Sequence, residues 1–242
     1  MTRLFIERIS ASKGIIILDR ENSHYVRNVL RFSRGDKLTV FNGTGREYVC
    51  TVFSLTENVT LSIADVVESH IKPLKEIILL QGLLKGRKMD IVVRKATEIG
   101  VGSIVPVVTE RSRIRSTSKV LRWRKIAMEA SRQCRRTDVP NVSHPIDADD
   151  LFTDFLSRYP DALKVVFYEN GKTPVGDFRK QIREAKTVII LVGPEGGLSD
   201  GEVETLAGAG FKVAGLGDFI LRAETASLIS VGIIQYISGQ FG

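Results

Sequence analysis

Short β-branched apolar runs alternate with stretches of helical periodicity over most of this 242-residue chain. The clearest run is Val188-Ile189-Ile190-Leu191-Val192, the composition of a strand buried on both faces. It stops at Gly193-Pro194-Glu195-Gly196-Gly197, a loop whose backbone can approach a ligand closely because three of its residues lack a Cβ. Ser199, with Glu202 three residues on, predicts a capping box that opens a helix. A further apolar segment, Phe211 to Leu216, runs through Gly217-Asp218-Phe219-Ile220-Leu221-Arg222 into an apolar helix at Glu224-Thr225-Ala226-Ser227. Two loops therefore follow two strands, one strand–helix unit apart, at the edge where open α/β sheets bind ligands. Alone, the first loop reads equally well as a sharp turn; the pairing favours a ligand.

Upstream, the pattern has two parts. Residues 1–72 hold short strand candidates at Leu4–Ile6, Gly14–Leu18, Lys37–Phe41, Glu47–Phe53 and Val59–Ile63, separated by turn signals such as Arg34-Gly35-Asp36 and Asn42-Gly43. A small closed β-barrel is the economical arrangement for such strands. One helix is predicted among them, Asn22 to Arg31, with His24, Arg27, Asn28 and Arg31 on a polar face. That face is either a phosphate contact or an ordinary solvated surface. Pro73 follows Ile71-Lys72 at a change of pattern and predicts a linker, so the second domain is expected over 73–242. There, strands at Ile77–Leu80, Ser103–Val108, Lys164–Tyr168 and Val188–Val192 alternate with helices at Gly86–Ile99, Lys119–Arg136 and Asp177–Ala185. Gly100 is the stop signal of the first of these helices, and Pro106 predicts an edge or a bend. Strand alternating with helix means a mostly parallel α/β sheet.

Composition adds one sharp fact. The net charge is +7, but Lys85 to Arg136 alone carries fifteen Lys or Arg against four acids, whereas Thr137 to Gly242 is net acidic. A basic middle points to a polyanion, nucleic acid first, against the alternative of a solvated helix face. The candidates for RNA contact are His24, Arg27, Arg31, Arg87, Lys88, Arg94, Arg111, Arg113 and Arg115. Trp123 either stacks on a base or anchors helix packing. Cys50 and Cys134, with His24, His70 and His144, show neither disulfide nor zinc spacing, so no metal is expected. The chain lacks an apolar targeting stretch at its start, and Ala226 to Ile237 is too short to span a bilayer and carries Gln235. A cytoplasmic, non-membrane protein is expected.

Taken together, Gly193-Pro194-Glu195-Gly196-Gly197-Leu198-Ser199 and Leu216-Gly217, Ile220-Leu221-Arg222, Glu224-Thr225-Ala226 resemble the paired motifs of the RsmE family of ribosomal RNA methyltransferases. His24–Arg31, Lys88-Met89-Asp90, Lys95–Gly100 and Glu110-Arg111-Ser112 extend the resemblance along most of the chain. Phe219 departs from it, because the family's pattern leads one to expect arginine there. The resemblance implies S-adenosylmethionine-dependent methylation of a uridine N3 in 16S ribosomal RNA of the small subunit. It also implies a SPOUT fold, in which the C-terminal α/β domain is tied in a trefoil knot, with a PUA-like N-terminal barrel and a homodimer. Its cofactor residues fall on Leu191, Gly193, Pro194, Glu195, Gly196, Gly197, Leu216, Gly217, Ile220, Leu221, Arg222 and Thr225, largely through backbone amides.

Two side chains are candidates for the chemistry. Arg222 either stabilises a uracil anion or serves as a salt bridge or phosphate clamp. Glu224 either accepts the proton or caps the positive end of its helix, and Glu195 either touches ligand or orders its own loop. Three rival readings share most features, one of them a methyltransferase acting at a ribose 2′-OH or another base position. A nucleotide-binding enzyme is disfavoured because Gly208-Ala209-Gly210 lies between a helix and a strand, the wrong context for a dinucleotide fingerprint. A non-catalytic RNA-binding protein fits the charge but leaves the two C-terminal loops without a purpose.

Overall fold

The computed structural model describes residues 2–6, 9, 11–12, 14–68 and 73–241. The expected junction at Ile71-Lys72 and the side chain of His70 lie outside the described residues. The chain forms two compact units: Met1–Lys72 with Ser131–Val139, and Pro73–Ala130 with Pro140–Gly242.

In the first unit, β1 (Thr2–Phe5), β2 (Ala11–Ser12), β3 (Ile15–Ile17), β4 (Lys37–Phe41), β5 (Arg46–Leu55) and β6 (Val59–Glu68) form one sheet in the order β1-β4-β5-β6-β3-β2. Only the β1–β4 pair is parallel. Alternation sends Leu38, Val40, Cys50, Val52 and Leu61 into a core shared with Leu4, Ile16 and Val26. The helix α1 (Arg20–His24) starts two residues earlier than its periodicity predicts, because Asp19 caps it by accepting the Asn22 amide at 2.7 Å. It widens into a π-helical turn over Tyr25–Val29 and ends near Arg31, at φ 54°. Within that turn His24 meets Asn28 at 2.8 Å, and Arg27 donates to the Thr56 carbonyl at 2.9 Å.

Residues 131–139 belong with this unit, not with the continuous 73–242 stretch expected from the pattern. The cause is Arg3. Its guanidinium donates to the carbonyls of Arg132 (3.3 Å) and Arg136 (3.0 Å), lies 4.3 Å over the Phe41 ring, and pairs with Glu47. Such a long-range clamp leaves no periodic mark in the sequence.

The second unit contains β7 (Glu76–Gly82), α2 (Lys88–Ile99), β8 (Ser103–Val107), α3 (Val120–Gln133, which straddles the division), β9 (Asn141–Val142), α4 (Ala148–Asp150), β10 (Leu163–Phe167), α5 (Arg179–Glu184), β11 (Thr187–Val192), α6 (Asp200–Gly208), β12 (Lys212–Ala214) and α7 (Ala223–Ile237). Its sheet is ordered β12-β10-β11-β7-β8-β9 and every pair is parallel. Strands β7 and β11 lie centrally and are almost wholly buried, as their unbroken apolar runs require. Pro106 sits in β8 beyond the two-residue β9, where an isolated bridge between Val107 and Ile146 replaces the ladder and the Pro106 carbonyl accepts the Ile146 amide at 3.0 Å.

Helix α7 packs on α2, β7 and β11. Its buried Gln235 donates to the carbonyls of Ile99 (3.3 Å) and Gly100 (3.0 Å), satisfying the end of α2. Trp123 is 1% exposed and donates to Asp90 at 3.1 Å, so it is a packing anchor and not a stacking surface. Among the described residues, no helix is long and apolar enough to cross a membrane.

Candidate active site at the carboxyl ends of the central strands

Both glycine loops leave the same edge of the sheet, one after β11 and one after β12, and enclose a cavity of about 350 Å³. That volume lies in the range of small-molecule sites. Its walls are Val192 to Gly197, Leu216–Gly217 with Phe219 to Ala223, and the end of β10 at Phe167, Tyr168 and Glu169; Lys88 and Ala226 complete them.

Close approach explains the glycines. A Cβ on Gly82, the last residue of β7, would overlap the Gly193–Pro194 backbone, so the first loop can lie across the end of β7 only with glycine there. At the second loop, a Cβ on Gly171 would come within 2.7 Å of the Ala214 carbonyl oxygen, and Gly215 faces Gly171 in return. The Gly215 amide donates to Thr173 at 2.9 Å, which pins the root of that loop. The α7 helix begins immediately after its other end, where Arg222 is the N-cap.

Polar side chains then set the first loop. Gln81, fully buried, donates to the Gly82 carbonyl at 3.0 Å and reaches that of Gly193 at 3.5 Å, while Ser227 of α7 donates to its carbonyl oxygen. Arg111 donates to the carbonyls of Gly196 (3.3 Å) and Leu198 (3.1 Å). The Glu195 carboxylate accepts the Lys85 amide at 3.0 Å and the Lys88 ammonium at 3.1 Å. Burial pushes the Glu195 pKa up, but the amides of Lys85 and Glu195 and the charge of Lys88 outweigh it, holding the carboxyl below its usual range. Lys88 also stands 4.0 Å from Glu224, so one lysine faces a carboxylate from each loop region. On the cavity's other side, the Tyr168 hydroxyl donates to Asp200 at 2.6 Å; this bond raises its pKa, against the Asn170 amide, which lowers it. Ser199 and Glu202 form the expected capping box at the start of α6.

Ten of the twelve residues expected to hold the cofactor line this cavity: Gly193, Pro194, Glu195, Gly196, Gly197, Leu216, Gly217, Ile220, Leu221 and Arg222. Leu191 does not. It lies within the β11 ladder between β7 and β10 and its side chain is buried in the core. Thr225 is exposed on the first turn of α7 and is also absent from the walls. Arg222 is exposed and lines the cavity. Glu224 lies in the first turn of α7, with its carboxylate 4.0 Å from Lys88.

Among the RNA candidates, Lys88 and Arg111 serve the glycine loop through the bonds just given. Arg87, Arg94, Arg113 and Arg115 are exposed in the second unit, and His24 and Arg31 in the first; Arg27 is half-buried. Sequence reasoning missed Gln81, Phe167, Tyr168 and Glu169. Gln81 had a signal, a lone amide closing the apolar run Ile77–Leu80 just before a glycine.

The cavity suits an adenosine-containing cofactor. Residues 216–221 make no backbone hydrogen bond to the rest of the described chain, so their amides and carbonyls are free to pair with an adenine or an amino-acid group. Apolar Phe167, Leu216 and Ile220 supply flat apolar wall around them.

Comparison with known proteins agrees with this architecture. Residues 70–235 match the family model described as an RNA methyltransferase domain, and residues 18–62 match an RNA methyltransferase PUA domain. The chain therefore belongs to the RNA methyltransferases of the kind called ribosomal RNA small subunit methyltransferase E. The relative of that name from Buchnera aphidicola (Acyrthosiphon pisum) is 30% identical over 246 residues, 99% of this chain and 94% of its own. The one from Bacillus subtilis is 31% identical over 229 residues, 89% and 88% of the two chains. Among solved structures, ribosomal RNA small subunit methyltransferase E from Neisseria gonorrhoeae bound to S-adenosyl methionine superposes over all of both chains, with a TM-score of 0.90 and 27% identity. A putative methyltransferase of Legionella pneumophila with bound S-adenosyl methionine does so over 98% of each, with a TM-score of 0.87 and 28% identity.

Proposed function

We propose that this protein transfers a methyl group from S-adenosylmethionine to N3 of a uridine in 16S ribosomal RNA of the small subunit. The single observation that carries the reading is the cavity closed by both glycine loops at the carboxyl edge of the parallel sheet. S-adenosylmethionine, when bound, supplies both the methyl group and its own leaving group. The chain's part is to hold it by the backbone of 193–197 and 216–221 and to bring a uracil against it, because positioning can remove about 7 kcal/mol of the barrier. Arg222, exposed on the cavity wall, is the cation for the charge that develops on the uracil oxygen when N3 loses its proton. Glu224, whose Oε2 is buried beside the cavity without a hydrogen-bond partner among the described residues, is the candidate to accept that proton.

The reading extends to architecture. A trefoil knot in the second unit is supported by the tight crossing of Gly171 and Gly215 and by the Pro174–Gly215 bridge just before α7. A PUA-like barrel is supported by the domain match over 18–62. A homodimer is supported by exposed Ile229 and Tyr236 on α7 and Ile91 on the neighbouring α2. RNA contact by Arg113, Arg115, Arg87 and Arg94 is supported by their exposure. A protein acting on ribosomal RNA belongs in the cytoplasm.

Calorimetric titration with S-adenosylmethionine, with ATP as control, followed by nucleoside mass spectrometry of treated small-subunit RNA, tests the proposal. Selective binding and appearance of 3-methyluridine are expected. Cofactor binding with methylation at a ribose or another base would overturn the position, and no cofactor binding would overturn the enzyme.

A further inference from the structure

Large apolar side chains are seldom left almost bare at the mouth of a polar site, and the second loop bares two. Phe219 and Ile220 are each 86% exposed, more than any other large hydrophobic residue among the described ones, and both line the cavity. Their exposure does not arise from a slack segment end, since Gly215 is packed against Gly171 at one side and α7 begins at Ala223 on the other. The backbone between turns at Gly217, at φ 96°, and carries the pair outward. Arg222 stands three residues beyond Phe219 on the same cavity wall, itself exposed.

An aromatic face, an aliphatic neighbour and a cation on one rim match the chemistry of an unstacked uracil, whose ring can stack while the guanidinium faces its developing charge. Bases are held in this way on aromatic side chains whatever their sequence. An enzyme that modifies a base must take it out of the stack and support it while the modified atom faces the cofactor. We infer that Phe219, backed by Ile220, is the stacking platform that receives the target uridine or its immediate neighbour as the base enters the cavity. This rests on the methyltransferase reading above and specifies how its substrate is held. A second copy of the chain is the competing occupant. The observations favour RNA because the pair shares a wall with Arg222 and the cofactor loops, whereas the apolar side chains of α7 and α2 lie on helices.

The test uses the full-length protein with Phe219→Ala, Phe219→Trp and Ile220→Ala. Cofactor affinity is measured by calorimetry, methyl transfer to small-subunit RNA by kinetics, and mass by sedimentation. A single-stranded oligouridine bearing one 2-aminopurine reports stacking by its fluorescence quenching. Phe219→Ala is expected to leave cofactor affinity and mass where they are, to lower kcat/KM for RNA on the order of tenfold, and to abolish the quenching. Phe219→Trp restores both, whereas Ile220→Ala, in the cofactor wall, weakens cofactor binding as well. Wild-type kcat/KM and quenching in Phe219→Ala would overturn the inference, as would loss of cofactor binding or a halved mass in that variant, which would assign the pair to the cofactor or to a second copy. If the wild-type protein itself neither binds S-adenosylmethionine nor methylates RNA, the failure lies with the enzyme reading and not with the platform.

Discussion

At the scale of single residues, Lys88 changes the picture most. Its place in a basic stretch suggested RNA, but its ammonium meets Glu195 of the first loop and faces Glu224 of α7. More than a third of the lysine side chain is exposed, so solvent screens the pair. Replacing Lys88 with Met is expected to weaken S-adenosylmethionine binding about two- to fivefold, read by calorimetry. Since the Glu195 pKa is lowered in the folded chain, its contribution is present above the ordinary value of 4.5 and lost as pH falls through the folded value. In Lys88→Met the acid limb of cofactor binding should shift to higher pH, because the charge that depresses Glu195 is gone. Cys50 behaves in the opposite sense. Burial pushes its thiol up to about 11, so the folded state keeps a proton that the unfolded chain releases from pH 9, and stability from this group declines between those values. At pH 8 an alkylating agent followed by mass spectrometry should label half-exposed Cys134 first and leave Cys50 unmodified until the chain unfolds.

Elements were largely readable where one local pattern dictates them. The run Val188–Val192 became β11, Gly100 ended α2 at φ 110°, and Ser199 with Glu202 capped α6. Two-residue strands such as β2 and β9 are too short to show a period, and the return of 131–139 to the first unit depends on Arg3, over 120 residues away. The site divides in the same way. Glycine loops announce themselves, but Lys88 and Arg111 reveal their roles only once three separate segments meet. Substitutions at two glycines should separate close approach from simple flexibility. Gly82→Ala forces a methyl into the Gly193–Pro194 backbone and is expected to cost about 1–3 kcal/mol or more in chemical denaturation, with loss of cofactor binding. Gly201→Ala, inside α6 with open space around it, is expected to stabilise by about 0.4–1 kcal/mol and leave binding unchanged.

For the whole molecule, the concentrated positive charge is divided between two units and between two jobs. Part of it is spent internally, on Asp90 by Arg122, on Asp138 by Arg136 and on loop carbonyls by Arg111. Arg113 stays exposed. Arg113→Ala should weaken RNA binding and lower the slope of log affinity against log salt by about one, with cofactor affinity unchanged. Arg111→Ala should instead weaken the cofactor first, and equal effects of the two on calorimetry and on the salt titration would refute the division. Strand order carries a consequence for synthesis. As the chain leaves the ribosome, β7, β8 and β9 can pair in sequence, but β10 has no neighbour among them and waits for β11, which inserts beside β7 more than a hundred residues after it. The cleft thus cannot exist on a nascent chain, and until its last third emerges the bare flank of β7 is an unpaired template for other chains.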